Sequence, residues 1–373
     1  MLKTLGYYLL EKSMRKYMIW PTSHGMRGYG VIILIVINLV WGFYPLITEL
    51  MHYKTNFAKL LFHLELTAIG AITLFGNIQL LRNRRSLLEI IDSLSDFNHF
   101  GIPERIKFIE KNIKIILNII HYGGFFIGYA MAYYVMFENN CAGIINTKDC
   151  FIIEYFVPHH LKQYEITLIM LFQIYFLGIS MNVIFSGLLL YSYSMELLIA
   201  RIEHLNNVID NIHLNRNKKR NFKILRPIFL YHQDIFRMFD CVKGFFVSYI
   251  VPTKVCVIVC LTMSTTEFVL EKNLISCWMI IMYFLTLFFF HTIGQRFITA
   301  VGSVNDAICN VNWFDSDVST RKDVLLLLCM SQHTVAMEVP LFGKLSHTAA
   351  AKEYKMVYGF CNWILTVMKQ RIA

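Results

Sequence analysis

Long apolar runs alternate along the chain with short polar and basic stretches. A bilayer's hydrocarbon core is about 30 Å thick, so about 20 consecutive apolar residues in a helix cross it. Runs of this kind occupy residues 29–50, 60–81, 115–136, 166–199, 245–268, 275–295 and 349–368. The pattern predicts an all-α integral membrane protein with seven transmembrane helices. The fourth run exceeds the bilayer, so its helix is expected to continue beyond it. Pro252 is expected to bend the fifth. Between the fourth and fifth runs, apolar positions recur with helical spacing at Ile202, Leu205, Val208, Ile209 and Ile212, ahead of a basic cluster at 216–220. That reads as helix, turn, helix. A further helical stretch over 321–337 precedes the seventh run.

Composition agrees with the membrane. Apolar residues make up 56% and charged residues 16%, against about half and about a quarter in soluble domains. The net charge of +10 could suggest nucleic acid, but the basic residues lie between spans, where they mark one side of the membrane. Of the 35 Lys and Arg, 25 fall on the side of the amino terminus and seven on the other. The positive-inside rule therefore puts the amino terminus in the cytosol. An odd number of spans then puts the carboxyl terminus outside, opposite to a G-protein-coupled receptor. The first run is too long for a cleaved signal peptide and lacks a small-residue cleavage site. The expected organisation is a cytosolic segment over 1–28, and six spans over 29–295 with a long cytosolic loop at 200–244. A cytosolic segment over 296–345 follows, then a last helix and short external tail over 346–373.

Seven of the nine cysteines lie in or beside helical runs with no metal-ligand spacing. Cys256 and Cys260 read as small packing residues. Cys141 and Cys150 share the loop after the third span, which the topology places outside; a disulfide closing that loop is expected. No phosphate-cradling glycine loop, HExxH or GxSxG occurs, so no enzyme, cofactor or metal is predicted. The pair His159 and His160 reads as a solvated loop pair, because adjacent histidines do not share a face.

The seventh run is the most polar. Thr348, Lys352, Lys355, Gly359, Asn362, Thr366 and Lys369 follow alternating spacings of four and three, one unbroken stripe along a helix. The other face is expected to carry Met356, Val357, Phe360, Ile364 and Val367. A polar stripe facing lipid is costly, so it faces either packed helices or water. Lys352 and Lys355 are expected at a wide cytosolic mouth or paired with Glu353. Glu65, near His63 and Thr67 in the second span, is either a functional carboxylate or a hydrogen-bonded group inside the bundle. Lys254, near the cytosolic end of the fifth span, is expected to snorkel. Aromatic and methionine side chains crowd the outer halves: Phe125, Phe126, Tyr129, Tyr133 and Met136 in the third span, Leu168, Phe172 and Tyr175 in the fourth, Trp278, Met282 and Tyr283 in the sixth. The same residues suit ordinary packing or a small apolar ligand site.

The carboxyl-terminal third then carries a family likeness. Trp313, the string VLLLLCMSQ (324–332), VPLFGKLS (339–346) and MVYGFCNWILTVMK (356–369) resemble, in order and spacing, the signature of insect odorant receptors. The length, the inverted topology and the long loop after the fourth span fit too. The resemblance implies a subunit of a tetrameric, ligand-gated, nonselective cation channel in the plasma membrane of olfactory dendrites or cilia. It implies a pore lined by Gly359, Asn362, Trp363, Thr366 and Val367, and an anchor built from the cytosolic ends of spans four to seven. It also implies an odorant pocket among spans two, three, four and six, here Phe62, Leu66, Phe126, Tyr129, Ala130, Tyr133, Leu168, Phe172, Tyr175, Trp278, Met282 and Tyr283. Thr366 and Lys369 stand about where the obligate co-receptor has an apolar gate residue and a glutamine, so a purely hydrophobic gate is not expected from this subunit. The co-receptor's long insertion after the fourth span is absent, which implies a ligand-tuning subunit that pairs with the co-receptor. The implied partners are a small volatile odorant, the co-receptor, membrane lipid and cations, with no nucleic acid. The alternative is a gustatory-type channel, whose closing Thr-Tyr and Gln-Phe pattern is replaced here by Asn362-Trp363 and Lys369-Gln370. A transporter is less favoured, because no internal repeats are found.

Overall fold

The computed structural model describes residues 4–16, 33, 36, 57–98, 100–138, 163–332 and 335–372. Among these the chain is almost entirely helical: α1 (Leu5–Lys16), α2 (Phe57–Arg82), α3 (Arg84–Ser95), α4 (Ile106–Glu138), α5 (Gln163–Asp210), α6 (Lys218–Glu271), α7 (Leu274–Asn310), α8 (Val318–Ser331) and α9 (His347–Ile372). A short hairpin, Glu338–Val339 with Gly343–Lys344, leads into α9. The first predicted span, apart from Ile33 and Val36, and the loop holding Cys141, Cys150, His159 and His160 lie outside the described residues.

The helices run far past a bilayer's thickness. α5 has 48 residues and α6 has 54, which at 1.5 Å per residue is roughly 70–80 Å. The two are separated by a turn over 211–217, where the periodic pattern gives way to the basic cluster. Asn217 caps α6 by accepting from the Arg220 amide. At the far end α6 closes on Lys272 in a left-handed conformation (φ 55°), and the Asn273 side chain caps α7 by accepting from the Ile275 amide. That two-residue turn makes α6 and α7 antiparallel neighbours. α2, α6 and α7 are long and apolar enough to cross a membrane by length and composition.

Packing is uneven along the bundle. One end holds a large apolar core that joins α1, α3, the start of α4, the end of α5, the start of α6, the end of α7, α8 and the hairpin. Along α5 the stretch 188–202 is almost wholly buried, so this helix is the central post of that end. α1 lies against it with Tyr7, Leu10 and Met14 fully buried, each contributing about 1.5–3 kcal/mol of burial. The ring of Tyr7 meets Tyr193 edge-on at 4.7 Å, and its hydroxyl lies 2.9 Å from Ser194 Oγ. Gly6 lies so close to the Tyr193 ring that a Cβ there would come within 2.2 Å. α3 buries Leu87, Ile90, Ile91 and Leu94, one helical face. Its exposed carbonyls are met by Arg201, whose guanidinium donates to Ser93, Leu94 and Asp96 oxygens at 3.4, 3.0 and 2.7 Å. A cation at a helix carboxyl end is favoured by the unpaired carbonyls there. Ion pairs extend the framework: Arg105 bridges Glu196 and Glu203, and Arg296 also grips Glu196. Asp317 caps α8 through the Ser319 and Thr320 amides, and Asn221 ties the α5–α6 turn to Thr320 of α8.

The opposite end is more open. In α4 and α5 the residues Tyr122, Phe126, Tyr133 and Leu168 are all more than 60% exposed. Apolar side chains there lie outside the packed core.

His232, in the dense end, is buried beside Phe236 with neither ring nitrogen hydrogen-bonded. Burial holds its imidazole below the ordinary value of 6.5. The unfolded chain therefore takes up the proton first, and stability falls as pH drops below about 6.5. His232→Phe should raise the melting temperature of detergent-solubilised protein, by about 1 kcal/mol of stability, and should flatten its loss between pH 7 and 5. His204, also lowered by burial, retains part of the acid sensitivity. An unchanged acid slope in the variant would assign that slope to His204 or other groups.

Candidate functional site

α9 presents two faces. Ala350, Glu353, Val357 and Cys361 are buried, and Ile364, Leu365 and Met368 partly so. Lys352, Lys355, Gly359, Asn362, Thr366 and Lys369 are all exposed. At about 100° per residue the polar set lies close to the far side of the helix from the packed set. Thr366 donates its hydroxyl to the Asn362 carbonyl at 2.8 Å, which leaves its oxygen lone pairs and methyl outward. Phe360 is 50% exposed and Trp363 65% exposed. Phe360 and Met356 therefore flank the polar stripe, and the apolar face expected to carry them is a packed face of Val357, Cys361 and Ile364 instead. Helical spacing alone could not assign these residues, because the packed stripe is narrower than half the helix.

The base of α9 is fastened by a buried cluster. Lys254 Nζ of α6 donates to Glu353 Oε1 at 2.6 Å, and His291 Nε2 of α7 lies 3.0 Å from Glu353 Oε2. The lysine and histidine side chains are wholly buried, and Lys254 sits 4.6 Å over the Phe342 ring. Lys254 thus does not snorkel to the membrane surface: a carboxylate and an aromatic face are nearer. Glu353 is taken by this cluster and not by Lys352 or Lys355, which stay exposed. His291 Nε2 also lies 3.1 Å from Lys254 Nζ, so the three side chains form one closed cluster. Nearby, Gly294 of α7 admits Leu345, whose backbone a Cβ would meet at 2.4 Å. The tight entry from the hairpin into α9 depends on that approach. Leu341 in the hairpin turn adopts φ 73° while 88% exposed.

Above the cluster, Val257, Ile258 and Leu261 of α6, Leu287 of α7 and Val357 of α9 form a small apolar core. Tyr354 stacks on Phe284 at 4.5 Å and donates to the Phe284 carbonyl. In α6, the Cys256 and Cys260 sulfurs lie 3.8 Å apart, and the Cys256 thiol donates to the Ala68 carbonyl, the packing use expected of them.

The expected pocket residues distribute over four helices. Phe62 and Leu66 on α2, and Met282 and Tyr283 on α7, are partly buried. Phe126, Tyr129, Ala130 and Tyr133 on α4, Leu168 and Tyr175 on α5, and Trp278 on α7 are exposed. The side chain of Phe172 lies outside the described residues. Tyr283 is joined to α2 by donating to Glu65 Oε1 at 2.8 Å, while Ser264 Oγ donates to Glu65 Oε2 at 2.6 Å. Glu65 is thus a hydrogen-bonded group inside the bundle, which leaves a functional use of it open to test. A groove of about 550 Å³ between α3 and α6, with Ser86, Glu89, Arg237 and Gly244 on its walls, lies apart from all these residues.

A family model described as 7tm Odorant receptor matches residues 56–347. The chain belongs to this family. Odorant receptors of this family are membrane proteins and not enzymes. The fold agrees: the insect olfactory receptor OR5 from Machilis hrabei superposes with a TM-score of 0.72 over 97% of each chain at 12% identity. The same receptor in complex with eugenol gives 0.74 over 96% of this chain and 97% of that one, again at 12% identity. No curated protein sequence matches this one significantly. The family match ends at residue 347, where α9 begins, so the polar stripe lies beyond the matched residues.

Sequence reading missed His291 and the pairing of Lys254 with Glu353. The usable signal was two opposite charges inside apolar runs, since an intramembrane charge needs a partner. Removing one partner of a buried pair costs about 3–5 kcal/mol, whereas replacing both by apolar groups is often near neutral. Lys254→Met alone should lower the melting temperature of the solubilised protein sharply, and adding Glu353→Met should restore most of it. A double variant as unstable as the single would mean the pair acts through something other than its charge balance.

Proposed function

We propose that this odorant receptor is the ligand-tuning subunit of a ligand-gated, nonselective cation channel and assembles with the odorant receptor co-receptor. Its amino terminus is in the cytosol and its carboxyl terminus outside, in the plasma membrane of olfactory sensory neurons. The observation that carries this reading is the unbroken polar face of α9, which points away from its own bundle. Such a face cannot be left to lipid. Turned toward equivalent helices of neighbouring subunits it lines a water-filled path, with Gly359, Asn362, Trp363, Thr366 and Val367 along it. Polar positions of this kind tune ion passage beside hydrophobic constrictions that gate by dewetting.

The ligand is a small volatile held among α2, α4, α5 and α7. Phe62, Leu66, Phe126, Tyr129, Ala130, Tyr133, Leu168, Phe172, Tyr175, Trp278, Met282 and Tyr283 offer rings, aliphatic groups and a thioether, with few hydrogen-bonding groups. Affinity then comes from shape and dispersion, and methionine adapts to several ligands. The exposure of the α4 and α5 members supports this use, because they are not consumed by the core. A gustatory-type receptor is the runner-up, and no feature of α9 favours it.

Cells carrying this chain with a tag after Ala373 test the reading. The tag should stain without permeabilisation, and members of an odorant panel should evoke currents only when the co-receptor is present. Tyr129→Ala or Tyr133→Ala should shift the odorant dose-response curve by about tenfold or more, the loss of about 1.4 kcal/mol of contact. The maximal response to an agonist of the co-receptor should stay unchanged. Currents absent for every odorant, or potency unaltered in both variants, would refute the channel or the pocket respectively.

A further inference from the structure

Glu65 stands on α2 between Phe62 and Leu66 and is 1% exposed. Thr67, Thr73 and Asn77 of α2 return to carbonyls of their own helix. Glu65 instead reaches across to two other helices, accepting from Ser264 of α6 and Tyr283 of α7. Tyr283 lies next to a contact with α9, and Ser264 belongs to the turn of α6 that carries another. Tyr283 packs on the apolar core that contains Val357. Two residues past Ser264, Thr266 Oγ1 lies 3.6 Å from Cys361 Sγ. A carboxyl group so placed has no water to fall back on, so a displacement of α2 must either carry Tyr283 and Ser264 with it or leave buried polar groups unpaired.

We propose that Glu65 is a positioning residue that transmits occupancy of the ligand site along α2 to the packed face of α9, through Tyr283 and Ser264. This rests on the odorant-pocket reading, because Phe62 and Leu66 are the α2 residues a ligand would press. The element that both sites bias is the hydrogen-bonded trio: a ligand against α2 favours one placement of Glu65, and the position of Val357 and Cys361 favours one placement of its two donors. Coupling of this kind is reciprocal.

The experiment records, in the same cell, the maximal odorant-evoked current divided by the current from an agonist of the co-receptor. The ratio corrects for the number of channels at the surface. Tyr283→Phe and Ser264→Ala each remove one donor at nearly constant size. Each should lower the ratio by about tenfold, the effect of one hydrogen bond to a charged or strongly polar acceptor. In a Glu65→Gln background, Tyr283→Phe should add little, because the partner it loses is already weakened. A residue that merely stabilises the bundle would lower both currents together and leave the ratio alone. Variants with wild-type ratios, or effects that add fully in the double variant, would overturn the inference while leaving the pocket intact. A wild-type chain that no odorant activates would overturn the pocket reading and this inference with it.

Discussion

The contact on which the rest of the site depends is the buried cluster of Lys254, Glu353 and His291. It takes one charged or polar group from each of α6, α7 and α9 and fixes the rotation of α9 about its own axis. With Glu353 turned inward, Val357 and Cys361 follow at intervals of four residues and must pack. The same rotation turns Asn362 and Thr366 outward. No apolar contact could set the rotation as sharply, because apolar side chains tolerate small slips, whereas a displaced ion pair in a dry interior does not.

The two ends of the bundle divide the work. The dense end, with α5 as its post and α1, α3 and α8 around it, is cross-braced by Arg201, Asn221 and the Arg105–Glu196–Arg296 pairs. The open end leaves the aromatic faces of α4 and α5 uncovered. A receptor needs that contrast: a rigid frame keeps the helices in register, and a loosely packed end lets a small ligand change their spacing. Glu65 is an α2 position whose side chain bonds to both α6 and α7.

The long helices were legible because sustained apolar runs leave little but a helix to satisfy the backbone in an apolar setting. The turn between α5 and α6 was legible too, because a basic cluster interrupts a helical period. The polar stripe of α9 could be read from spacing alone, and every member lies on the exposed face. What could not be read was tertiary. Lys254 looked like a snorkelling residue because its partner is 99 residues away. Phe360 was assigned to the packed face because apolar character does not distinguish a packed side chain from one that faces lipid or another subunit. α1 was read only as part of a cytosolic segment, since nothing local announces that Tyr7 would meet Tyr193.

The central claim, that the polar face of α9 meets the aqueous path while the Val357–Cys361 face stays packed, is tested most directly by thiol accessibility. Thr366→Cys and Val357→Cys are each expressed with the co-receptor and exposed to a water-soluble thiol reagent during odorant application, with the unaltered chain as control. The expected result is a lasting change of current in Thr366→Cys, with none in Val357→Cys or in the unaltered chain, whose Cys361 is buried. Modification of Val357→Cys with Thr366→Cys untouched would mean that α9 is turned the other way in the working channel.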